Sequence, residues 1–197
     1  MAVLRPVTQV FVSCRERLMA TRGGMEEIDH VNAIIKAGPE AITPWFFFKQ
    51  YSYVVLCSYW KEQYARKEWE AFFESGGKTR ISNTRKREAI WAVRKNYEDW
   101  FEGLLVSKDR LAYLDTMPMI GPVTCRHLAR NIGIDCVKPD RHMCRLAAGF
   151  GYGSSNKVEE QACITTQMCE DIRKESGEDY LGTIDVILWR ACNLGWL

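Results

Sequence analysis

Apolar residues along this chain recur mostly every three or four positions, which is the spacing of one helical face, and strict alternation is nearly absent. Met25 to Ala37 reads as a helix with Glu26 and Glu27 in its first turn, where acids favour the helix dipole, and Gly38-Pro39 stops it. Thr43 caps a further helix with Pro44 at its first position. It runs through Tyr53-Val54-Val55-Leu56 to about Phe73, as one helix or a broken pair, and Gly76-Gly77 ends it. Ser82 or Asn83 caps the next, whose face is Ile90, Val93, Tyr97 and Trp100. Helices are also expected over Lys108 to Met117, Val123 to Asn131, Asp140 to Ala148, Lys157 to Ser176 and Ile184 to Cys192. Only Pro6 to Ser13 alternates, weakly, and is expected to be extended or irregular. The fold class this predicts is all-α.

A chain of 197 residues can bury a real core without staples, as one domain or as two small lobes. With 47% hydrophobic and 12% aromatic residues, intrinsic disorder is excluded. The most apolar run, Tyr53 to Cys57, is far too short to span a bilayer, so no membrane partner is expected. Met1 to Val12 lacks the long apolar centre of a secretory signal, which points to the cytoplasm.

The net charge of +2 conceals a cluster: Lys78, Arg80, Arg85, Lys86 and Arg87 fall within ten residues that contain no acid. Such a cluster suits a nucleic-acid backbone, and equally a solvated loop and helix start. The eight cysteines include no Cys-x-x-Cys pair and miss the spacings of zinc and iron–sulfur sites, so they read as reduced thiols. His30, His127 and His142 are too scattered for a metal triad. No metal and no cofactor are expected.

The informative stretch is Leu111 to Gly133, a helix, a tight Pro/Gly turn and a second helix. Gly121 has access to backbone angles closed to other residues and permits close approach of another backbone. The first N–H groups of the helix beginning near Val123 lack internal partners and make a site for an anion such as a DNA phosphate. A contact of that kind reads position and charge, not base sequence. Nineteen residues beyond Gly121 stands Asp140, within Val137-Lys138-Pro139-Asp140-Arg141-His142. An acid after proline is an ordinary helix N-cap, and a capping carboxylate is also a rigidly held one.

Together these segments resemble the helix-hairpin-helix (HhH-GPD) DNA glycosylase superfamily, which includes endonuclease-III-like and adenine-mismatch enzymes. Its pattern, Leu-Pro-Gly-Ile-Gly-x-x-Thr-Ala followed some twenty residues later by Asp, is matched by Met117-Pro118-Met119-Ile120-Gly121-Pro122-Val123-Thr124-Cys125 and by Asp140-Arg141-His142. Leu56-Cys57-Ser58-Tyr59-Trp60 falls at the family's early pocket helix. Arg85 to Ile90, with Tyr97 and Trp100, looks like its basic helix, and Asp185 to Arg190 like its closing helix. The likeness covers roughly residues 40 to 195, with the hairpin at about 108–131, inside a single two-lobed domain over 1–197. Met119 replaces the first hairpin glycine, and Val123 stands where lyase members carry a catalytic lysine. The family's iron–sulfur cysteines are missing.

The resemblance implies a monofunctional DNA glycosylase, a monomer acting on double-stranded DNA, cytoplasmic and nucleoid-associated when bound. It would flip a damaged, mismatched or modified base out of the duplex and hydrolyse its N-glycosidic bond. Asp140 is the catalytic candidate, as the carboxylate that stabilises charge on the sugar or positions water. Lys138 and His142 are candidate supporting groups. Met119, Gly121, Val123, Thr124, Arg85, Lys86, Arg87 and Arg141 are candidate DNA contacts. Tyr59 and Trp60 are candidates to stack on the flipped base, or else core residues of a long helix. Two alternatives stay open: a phage-type transferase that installs bulky groups on thymine, and a non-catalytic hairpin module.

Overall fold

Residue patterning becomes eleven α-helices in a computed structural model that describes residues 5–78 and 81–197, with no strand among the described residues. In chain order they are α1 (Pro6–Met19), α2 (Arg22–Ala37), α3 (Pro44–Cys57), α4 (Glu62–Glu74), α5 (Thr84–Arg94), α6 (Tyr97–Val106), α7 (Arg110–Asp115), α8 (Pro122–Asn131), α9 (Arg141–Gly149), α10 (Val158–Ser176) and α11 (Leu181–Asn193). A 3-10 turn, Pro39–Ala41, precedes α3. The protein is all-α, and none of its described helices is long and apolar enough to cross a membrane.

The largest departure from the sequence pattern is α1. Pro6 to Ser13, expected to be extended or irregular, belongs to a helix that begins with Pro6 in its first turn. Val7, Phe11, Cys14 and Leu18 step by four, three and four and are all buried, so tertiary packing selects the helical period. The stretch expected from Pro44 to Phe73 is a broken pair, interrupted at 58–61. The face drawn through Ile90, Val93, Tyr97 and Trp100 crosses another break, at Lys95 and Asn96.

The chain divides into two compact units. One comprises residues 39–132 and holds α3 to α8. Its centre is α3, which buries Phe47, Phe48, Tyr51, Val54, Val55 and Leu56 and packs against α4, α5, α6 and α8. The Tyr51 hydroxyl donates to the Pro118 carbonyl at 2.7 Å, so the turn between α7 and α8 is tied directly to this core.

The other unit is built from residues 1–38 and 133–197. Here α11 is buried along nearly its whole length and packs against α1, α2, α9 and α10. A helix apolar on every side must be enclosed, and these four enclose it. Two carboxylates fasten the segment before α9 to this central helix. Asp135 accepts from the N–H groups of Leu181 (3.2 Å) and Gly182 (2.8 Å), supplying the N-terminal cap that Tyr180 does not. Asp185, 1% exposed, accepts from the Lys138 N–H at 3.4 Å.

Gly133 opens that segment with φ +95°, and a Cβ added there would lie 2.8 Å from the backbone of both Gly38 and Ile34. Gly133→Ala is therefore expected to lose about 2 kcal/mol or more of stability, read as a lowered urea midpoint. An unchanged midpoint would show that this backbone approach is soft.

Candidate functional site

The candidate residues fall into three groups. In the 133–197 stretch, Asp140 is the N-cap of α9, with extended backbone angles (φ −83°, ψ 175°). Its Oδ1 accepts from the N–H groups of His142 at 2.9 Å and Met143 at 3.2 Å. Its Oδ2 lies 3.4 Å from Lys138 Nζ, and the two side chains are only 14% and 18% exposed. One carboxylate oxygen is thus fixed by a helix start while the other faces a cation. Pro139, buried just before the cap, is locked at a φ that suits this entry.

The structure brings Lys138, Asp140 and His142 into one electrostatic group. His142 Nδ1 is 3.0 Å from a guanidinium nitrogen of exposed Arg145. Burial lowers the His142 pKa below its ordinary value; Asp140 opposes this, while Arg145, Arg141 and Lys138 reinforce it. The imidazole is accordingly neutral near pH 7, and a neutral Nδ1 can accept from Arg145. Arg141 is exposed. Burial and the Asp140 charge both push the Cys144 thiol up, so it is no thiolate nucleophile.

In the 39–132 unit, α7, its turn and α8 form the expected helix–turn–helix. The backbone there differs from expectation in one respect. Gly121 is extended (φ −135°, ψ −179°), a conformation open to any residue. The left-handed position is Met119, at φ +61°, the place where the resembled pattern carries glycine. Its neighbours explain how a methionine is held there: Met117 and Ile120 are buried on either side, and the Pro118 carbonyl is bound by Tyr51. Met119 itself is 40% exposed.

The donors left open at the start of α8 follow from the same turn. The Gly121 N–H is taken by Thr124 Oγ1 at 2.7 Å, and Pro122 has no N–H. The N–H groups of Val123 and Thr124 have no acceptor among the described residues. Two adjacent amides at a helix N-terminus can bind one anionic oxygen pair.

The third group is the basic run, also in the 39–132 unit. Lys78 and Arg85 are exposed, and Arg87 is half-buried with its guanidinium on the Ile81 carbonyl at 3.1 Å. Arg80 lies outside the described residues. Lys86 departs from the expected DNA contact. It is 2% exposed, and its Nζ donates to the carbonyls of Leu56 at 2.7 Å and Ser58 at 2.6 Å. The Trp60 ring covers the same ammonium, 3.9 Å from nitrogen to centroid. Neither candidate stacking residue is in a long helix's core. Tyr59 is fully exposed at φ +61° in the 58–61 break, and Trp60 is half-buried against Lys86.

Sequence reasoning missed Asp135, Asp185 and Tyr51, which position the site segments. Their signal is chemical: each is a polar group inside an otherwise apolar helix or beside a glycine turn, where burial demands a partner. Among the described residues no group of three or more His, Cys, Asp or Glu side chains is placed to hold a metal. No family model, curated protein or solved structure matches the chain.

Burial lowers the Lys86 pKa from 10.5 to about 8, against the smaller opposing influence of Cys57 and Glu68. Between those two values the unfolded chain keeps the proton that the folded chain has released. This residue's contribution to stability therefore rises with pH from about 8 to 10.5 and is flat below. Urea midpoints across that range should show the stability of the native chain increasing relative to Lys86→Met. A difference that does not change with pH would mean that the amine keeps its ordinary pKa.

Proposed function

We propose that the chain is a monofunctional DNA glycosylase of the helix-hairpin-helix type, acting as a monomer on double-stranded DNA in the cytoplasm and at the nucleoid. The observation that carries this reading is the Asp140 carboxylate, held at a helix start by two N–H groups with its second oxygen beside Lys138. The motif match that precedes it, Met117 to Cys125 with its left-handed Met119, supports the same reading.

In this reading the open Val123 and Thr124 amides take a phosphate, and Arg85 and Arg141 add sequence-independent attraction. The exposed Tyr59 ring stacks where a base has left the helix. As the C1′–N bond breaks, its electron pair leaves with the base and positive charge builds on the sugar. The fixed Asp140 carboxylate offsets that charge and accepts the proton of the water that adds at C1′. Lys138 is tied to Asp140, and Val123 has no amine, so no Schiff base forms and the strand stays intact.

Asn keeps the capping oxygen while replacing the charged oxygen beside Lys138 with an NH2 group, so Asp140→Asn should still fold and bind DNA within a few-fold of the native chain. Base release from a panel of natural and modified duplexes, read by mass spectrometry, should fall by about a hundredfold or more. Native-like turnover in the Asn variant would remove Asp140 from the chemistry. The product should be an unbroken strand with an abasic site, and borohydride should trap no covalent complex. A trapped complex that vanishes in Lys138→Ala would make Lys138 a nucleophile. Loss of pyrophosphate with the base retained would instead indicate the base-modifying transferase.

A Cβ at Gly121 would have only Thr124 Oγ1 near it, at 4.0 Å. Gly121→Val should therefore leave the thermal midpoint nearly unchanged while weakening binding to all duplexes alike. Unaltered affinity would show that the hairpin does not hold phosphate.

A further inference from the structure

We propose that Lys86 is a positioning residue for Tyr59: it pins the turn after α3 so that the tyrosine ring stands ready to stack on DNA. This rests on the glycosylase reading above. A lysine with 2% exposure is costly where an apolar side chain would fill the same space, so its amine must be accounted for by what it holds. It holds two carbonyls at the end of α3, Leu56 and Ser58, which the helix itself leaves without N–H partners, and the face of Trp60.

The Ser58 carbonyl belongs to the peptide that enters Tyr59. The peptide that leaves Tyr59 carries the Trp60 N–H, which donates to the Cys57 carbonyl at 3.3 Å. Both peptide planes flanking the Tyr59 Cα are thus fixed from outside. Two fixed planes set its dihedrals, and the result is φ +61°, a region that a tyrosine otherwise avoids. The fold gains nothing from the ring, which is fully exposed, and a glycine would sit in this turn without strain. A strained, outward aromatic held by a buried cation is accounted for by a partner outside the chain, and a base step is the flat apolar surface that the proposed function supplies.

The test uses the whole chain, a duplex with a tetrahydrofuran abasic analogue, and Lys86→Met, Tyr59→Ala and the double variant. Without DNA, the Trp60 amide should exchange its hydrogen faster in Lys86→Met than in the native chain. With DNA, each single variant should bind about 5- to 100-fold more weakly, and the double variant no more weakly than either. A general loss of structure at Lys86 would instead give losses that add. Unchanged Trp60 exchange, or additive losses, would overturn the proposal. If Lys86→Met does not fold, Lys86→Gln, which keeps a neutral donor, is read the same way. A native chain that fails to bind the duplex overturns the DNA reading and with it the role of Tyr59, and the exchange result then decides whether Lys86 pins the turn.

Discussion

Each helix leaves up to four N–H groups at its start and four C=O groups at its end without internal partners, and eleven helices of six to nineteen residues among the described residues make such ends frequent. Where those ends are buried, side chains from elsewhere must satisfy them. The geometry of the candidate site is largely the outcome of that requirement. Asp140 is fixed because it caps α9, Asp135 is fixed because it caps α11, and Lys86 is buried because it closes α3. At α8 the requirement is only half met: Thr124 takes the Gly121 N–H, and the Val123 and Thr124 amides have no acceptor among the described residues.

Much of this was legible in the sequence where the cap and the helix it starts are neighbours. Thr43 before Pro44, Asn83 before α5 and Asp140 before α9 each accept from an N–H two or three residues on, so composition and spacing locate Thr43 and Asp140 and narrow the third to Ser82 or Asn83. The helix-turn-helix around Gly121 was legible for the same reason. A cap that arrives from a distant part of the chain leaves no local trace. Asp135 lies 46 residues before Leu181, and Lys86 lies 30 residues after Leu56. In the sequence, Lys86 reads as one more member of a solvated basic run, because nothing near it shows that its amine turns inward.

The two helix breaks differ in how far the sequence shows them: between Pro44 and Phe73 it leaves one helix or a broken pair open, while the break at Lys95-Asn96 has no sign at all. Apolar residues continue at helical spacing across 58–61 and across Lys95-Asn96, so the hydrophobic pattern passes straight over positions where the backbone turns. The pattern reports which face is buried, not whether the backbone is continuous. At α1 the opposite happened: Val10 and Val12 imitate strand alternation, while the buried set steps at the helical period. Left-handed turns at Tyr59 and Met119 escaped for a related reason, since glycine is the residue that advertises such angles and neither position has it.

The discontinuous make-up of the α11 unit bears on how the chain assembles during synthesis. Residues 39–132 are contiguous and contain every helix that α3 packs against, so that unit can close while later residues are still being made. Helices α1 and α2 emerge first of those described, yet their enclosing partner, α11, is translated last among them. Their apolar faces, including Phe11 and Leu18, are solvent-exposed or transiently sheltered for the time taken to add more than a hundred residues, on the order of ten seconds at roughly 5–20 residues per second. Among the described helices, α1 and α2 are thus the ones whose apolar faces wait longest for the helix that covers them.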